Sequence, residues 1–267
     1  MAMDEPMTAA RLCQMGKNYC AIRNYKQGKK YLIQAVIKGS SAGARALLLL
    51  GKQFYKAGGK ENFLDAEDCF QVLADRGSGE SCLYLGRLYR GGLGVDRDIQ
   101  AAFNYFAEAY ELGIATGAYE AGCLIMPDAF VSDDAKQAAI EWFKAAEEEG
   151  VIRANTEIGL LLCDNLPEHN REALEWFMKG VRGGDTDAMI YASDLYLSGL
   201  GTPKNVTIAM SLLKKAADKG SSKANTILGD LYAAGNYVQK NQAVAQAYYR
   251  RAAQCESENM ETSGTAE

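Results

Sequence analysis

The chain has one histidine, His169, and seven cysteines, the side chains from which acid–base, nucleophilic or metal chemistry is usually assembled. His169 stands in Leu166-Pro167-Glu168-His169-Asn170, a predicted loop, and no Ser–His–Asp or Cys–His arrangement can be built around it. Cys13 and Cys20 are seven residues apart on one predicted helix, roughly 10 Å along its axis. That is too far for a disulfide or for two thiolates on one zinc ion. The cysteines are odd in number and do not recur in frame, which predicts free packing thiols in a reducing compartment. Gly91-Gly92-Leu93-Gly94 is rich enough in glycine to suggest a phosphate loop. It lacks the G-K-[ST] ending and follows a predicted helix rather than a strand, so that reading fails. No catalytic residue, cofactor or metal ion is therefore expected.

What remains is a binding surface, and the elements that would position it are written as a repeat. Ala102, Phe106, Ala109 and Gly113 recur as Ala139, Phe143, Ala146 and Gly150, as Ala173, Phe177, Gly180 and Gly184, and as Ala209, Leu213, Ala216 and Gly220. Offsets of 4 and 7 share one helix face, and a glycine at 11 sits where a helix ends. The closing glycines Gly39, Gly77, Gly113, Gly150, Gly184 and Gly220 are 34 to 38 residues apart, the period of stacked helix pairs. A further large residue at offset 3 (Tyr105, Trp142, Trp176, Leu212, Tyr248) widens the apolar stripe toward the next pair, so both tryptophans read as core. The first helix of each unit carries a small residue mid-helix: Gly16, Gly51, Gly86, Gly122, Gly159, Ser193 or Gly229. Such a glycine costs about 0.5–1 kcal/mol, so its repetition predicts a close helix crossing.

Composition agrees with a folded chain of this kind. It is 48% hydrophobic and 24% charged, with a net charge of −5, which argues against nonspecific nucleic-acid or membrane binding. The N-terminus has no signal-like pattern and the longest apolar run, Ala46–Leu50, cannot span a bilayer, so a cytoplasmic location is expected.

The connectors Gly92-Leu93-Gly94-Val95 and Gly199-Leu200-Gly201-Thr202 make the resemblance specific. With them go the blocks Leu85-Gly86-Arg87-Leu88-Tyr89 and Leu228-Gly229-Asp230-Leu231-Tyr232, and the Trp142-Phe143 and Trp176-Phe177 endings. Together these resemble Sel-1-like repeats, relatives of the tetratricopeptide repeat. The resemblance implies an all-α, right-handed α-solenoid superhelix of about seven helix-turn-helix repeats. Its expected boundaries are an N-terminal segment 1–7, repeats at 8–39, 40–77, 78–113, 114–150, 151–184, 185–220 and 221–256, and a disordered acidic tail at 257–267. Repeats one and five have short connectors and depart from the pattern.

The resemblance further implies a protein–protein interaction adaptor or scaffold, most often bacterial, that binds a protein or peptide on the concave face. By analogy with tetratricopeptide units, first-helix positions −6, −3, +1, +4 and +5 from the central small residue line that face. The first three repeats then contribute Lys17, Arg45, Lys52, Lys56, Arg87 and Arg90 against Glu80 alone. The last three contribute Asp164, Asp187, Asp194 and Asp230 with Arg153 and Lys223, and Tyr119 and Met126 fall among uncharged residues between. A basic end and an acidic end would fix a peptide's direction. Two rival readings remain: a secreted, cysteine-rich member of the family with β-lactam-binding or hydrolysing activity, and a module that associates with itself.

Overall fold

The structure, a computed structural model, describes residues 7–129, 132–163 and 167–264. Among them are fourteen helices and no strand. The chain divides into two units, Met1–Leu124 and Ile125–Glu267. The first holds α1 (Ala9–Ala21), α2 (Tyr25–Ile37), α3 (Ser41–Ala57), α4 (Lys60–Ala74), α5 (Gly79–Gly91) and α6 (Ile99–Glu111), and the division falls within α7 (Ala115–Ala129). The second continues with α8 (Asp133–Glu148), α9 (Arg153–Leu162), α10 (Pro167–Gly183), α11 (Thr186–Ser198), α12 (Val206–Asp218), α13 (Ser222–Ala234) and α14 (Gln242–Gly264). Within each unit, paired helices pack as hairpins and each hairpin packs on the next, first helix on first helix at α1–α3 and α9–α11. This is the expected α-solenoid arrangement.

The mid-helix glycines have the packing reason that their repetition predicts. A Cβ on Gly86 would stand 2.5 Å from Cε1 of Phe106, and one on Gly51 would stand 2.8 Å from Cε1 of Phe70. The second helix thus presses a ring onto bare backbone of the first. Phe70, Phe106, Phe143 and Phe177 are all fully buried. Where the sixth repeat has Ser193, the ring is replaced by the smaller Leu213, also fully buried. The tyrosine that follows the glycine stacks on the offset-3 aromatic of the same hairpin, with centroids 5.5 Å apart for Tyr89–Tyr105 and 5.8 Å for Tyr232–Tyr248.

The joints between hairpins are equally regular. All six closing glycines have φ between 77° and 88°, the left-handed region that an L side chain resists. At each, the residue after the glycine donates its N–H to a carbonyl five residues back, as Ser78 does to Leu73 and Ser221 to Ala216. That same residue often caps the next helix: Ser40, Ser78, Asp185 and Ser221 each accept a backbone N–H through the side chain.

Three local differences from the sequence reading have plain causes. His169 lies not in a loop but in the first turn of α10, because Pro167 opens that helix, where its missing N–H costs nothing. Met126-Pro127-Asp128 reads in the sequence as a turn, but Pro127 sits inside the last turns of α7, which runs on to Ala129; Ser132, which reads as a helix cap, does cap α8. The final helix differs most. α14 continues to Gly264, through residues 257–264 of the expected disordered tail, since no glycine or proline interrupts it before that point.

Candidate interaction surface

In the N-terminal unit the first helices carry a ladder of charge from one repeat to the next. Lys52 of α3 pairs with Glu80 of α5. Arg87 of α5 donates from Nε and Nη2 to Oε1 of Glu120 on α7, at 3.0 and 2.9 Å, and Arg90 pairs with Oε2 of the same carboxylate. Tyr84 lies inside the ladder, its ring centroid 5.7 Å from both the Lys52 ammonium and the Arg87 guanidinium, and it stacks on Phe70 at 4.8 Å. Three of the six expected basic residues are therefore internally compensated. The other three, Lys17, Arg45 and Lys56, are exposed and have no ion-pair partner among the described residues. Arg45 and Lys56 share α3 with Leu49, a leucine that is 67% exposed.

Glu120 and Tyr84 escape the sequence reading because both stand two residues before the central glycine, a position left uncounted. Glu120 is nevertheless 33 residues beyond Arg87, close to one period, and that spacing is the signal that could have found it. Tyr119 and Met126, the uncharged candidates on α7, are half-buried.

In the C-terminal unit the acidic candidates separate. Asp187 of α11 pairs with Lys223 of α13 at 3.3 Å. Asp230 accepts the hydroxyl of Tyr249 at 2.7 Å, turned toward its own second helix, while Asp194 is exposed. Asp164 lies outside the described residues. Between α11 and α13 runs a cavity of about 320 Å³ lined by Asp187, Ile190, Tyr191, Ser222, Lys223, Thr226, Ile227 and Glu256. Positions −6 and −3 of two successive repeats, Asp187 with Ile190 and Lys223 with Thr226, line this one cavity. Apolar groups form most of the lining.

All seven cysteines are free, so the cysteine-clipped reading draws no support from them. Burial, with the nearby Glu108 charge and hydrogen bond, pushes the Cys82 thiol up to about 12, and burial raises Cys69 as well. A thiol titrating near 12 is thiolate to only about one part in ten thousand at pH 8, so Cys82 is expected to resist a thiol reagent in the folded protein. All seven should react on unfolding. Stopped-flow thiol titration checks this; a Cys82 that is modified at the rate of a free thiol would contradict the burial.

The Sel1 repeat profile matches residues 8–40, 79–114, 117–151, 186–221 and 222–257, more than half of the sequence. The chain belongs to the Sel1 repeat family. The profile does not match residues 41–78 and 152–185, where the structure forms the helix pairs α3–α4 and α9–α10. Among solved structures, a Sel1 repeat protein from Oxalobacter formigenes superposes with a TM-score of 0.67 at 20% identity, over 90% of this chain and 96% of that one. A protective antigen from uropathogenic Escherichia coli with an SLR fold gives 0.63 at 20% identity, over 96% and 64%. Both similarities speak for the fold. The exopolysaccharide production negative regulator of Rhizobium meliloti is 24% identical over 174 residues, covering 59% of this chain. The DAP3-binding cell death enhancer 1 of Rattus norvegicus is 27% identical over 175 residues, covering 65%. The chain spans 64% of the first relative's length and 34% of the second's. Sel1 repeats form a non-catalytic helical fold and generally act as protein-interaction modules. Among the described residues no helix is long and apolar enough to cross a membrane, and no group of residues is arranged to hold a metal ion.

Proposed function

We propose that this Sel1 repeat chain is a protein-interaction adaptor, and that its C-terminal unit receives a segment of the partner in the groove between α11 and α13. The observation that carries this is the groove itself: an apolar floor of Ile190, Tyr191 and Ile227 between two first helices, rimmed by charge. Apolar lining with a few polar groups at the edge is the usual make-up of a site that buries a ligand. The exposed cations Arg45 and Lys56, on the same helix as the exposed Leu49, offer the N-terminal unit a second candidate surface. The names of the two curated relatives, a negative regulator and a DAP3-binding protein, are in keeping with an adaptor.

Thr226→Trp tests the groove, because Thr226 is exposed on its wall and a tryptophan there fills it without entering the core. Affinity capture from native lysate should lose its partner proteins about tenfold or more, as expected when a central contact costs upward of ~1.4 kcal/mol. The thermal unfolding midpoint should stay in place. Capture unchanged by Thr226→Trp would refute the groove as the receiving site.

A further inference from the structure

We infer that the groove between α11 and α13 selects a basic side chain, arginine or lysine, on the partner segment, with Glu256 as the selecting residue; this rests on the adaptor reading above. The argument begins from a departure in the repeat. Six hairpins close on a glycine, which offers no side chain and breaks the helix with a positive φ. The seventh has Glu256 at that position, and α14 passes straight through it. Helical backbone therefore holds the Glu256 side chain beside the start of α13, where it becomes a wall of the groove. At the corresponding place in the preceding hairpin, a Cβ on Gly220 would have nothing within 4 Å.

Charge then decides what fits. Asp187 and Lys223, the other two charged lining residues, are paired with each other at 3.3 Å. Glu256 has no ion-pair partner among the described residues and leaves the groove with one uncompensated carboxylate. Asp194 and Asp230, farther along the same two helices, add to the negative field. Ile190, Ile227 and Tyr191 offer apolar surface to a methylene stem, while the charged head reaches the carboxylate at the rim. A volume near 320 Å³ is at the small end for ligand sites, about 300–1,000 Å³, and suits one long side chain.

The test uses the full chain and fluorescent peptide pools, randomised except for a central arginine, citrulline, leucine or glutamate, read by anisotropy at physiological salt. The arginine pool should bind about tenfold more tightly than the citrulline pool, the value of one charge-assisted contact. Glu256→Gln and Glu256→Gly should each remove that preference. Equal binding of arginine and citrulline pools would overturn the inference, as would a preference that survives Glu256→Gln. A preference for the glutamate pool would overturn it too, assigning selection to Lys223. If all pools bind alike and Thr226→Trp abolishes them, the basic-side-chain assignment falls and the adaptor reading stands. If no pool binds, the assignment also falls, and the lysate capture alone judges the adaptor.

Discussion

Replacing Gly86 by alanine is expected to destabilise the N-terminal unit by about 2 kcal/mol, even though alanine is the better helix former by roughly 1 kcal/mol. The new methyl would stand 2.5 Å from Cε1 and 2.6 Å from Cδ1 of Phe106, well inside the separation of about 3.5–4.0 Å at which carbon atoms attract. Phe106 is fully buried and has nowhere to retreat. Truncating the ring instead, Phe106→Ala, should cost about 3–5 kcal/mol by opening a cavity. The informative variant combines Gly86→Ala with Phe106→Leu. The protein already contains that combination at the corresponding positions of the sixth repeat, Ser193 and Leu213, both buried. The double variant should therefore recover part of what the single substitutions lose, giving a coupling energy of about 1 kcal/mol or more. Urea unfolding of the four proteins measures it; strict additivity would mean that the ring and the glycine do not share one contact.

The second large effect concerns the carboxylate that two arginines hold. The Glu120 side chain is only 11% exposed, so removing both cations leaves a charge in a poor solvent. Arg87→Met with Arg90→Met is expected to destabilise by about 3–5 kcal/mol, the cost of stranding a buried partner. Adding Glu120→Tyr should restore much of the loss. In the neighbouring joint the equivalent residue, Tyr84, stacks on Phe70, and in the C-terminal unit Tyr191 stacks on Phe177 at 5.5 Å. Phe106 is the corresponding ring here, and at present the Arg90 guanidinium lies 5.8 Å from its centroid. Denaturation midpoints of the double and triple variants decide the matter: if Glu120→Tyr rescues nothing, the position does not serve the stacking role that its counterparts do.

The repeat is legible in the sequence because every joint closes on a left-handed glycine whose successor bonds five residues back, and most crossings set a small residue against a ring. Both requirements are strict about residue type, so they leave a periodic trace. The candidate surface is less legible because its charges are permissive about type and take their meaning from a neighbour one repeat away. Lys52, Arg87 and Arg90 read as an open basic patch until Glu80 and Glu120 are seen to face them. Glu256 reads as a polar terminal cap; that its backbone stays helical, and so builds a wall, depends on the absence of a helix breaker beyond it. Asp187 and Lys223 occupy the same position of two successive repeats, and it is their pairing, not their types, that the sequence alone does not display.

The interchangeable joints carry an evolutionary consequence. Excising Ser40–Gly77 would splice Gly39 to Ser78, a left-handed glycine running into a hydroxyl cap just as before. Duplication would be equally silent at the seam. Lineages of such a protein can gain or shed whole hairpins by recombination without inventing a new turn, so copy number is free to vary in descent.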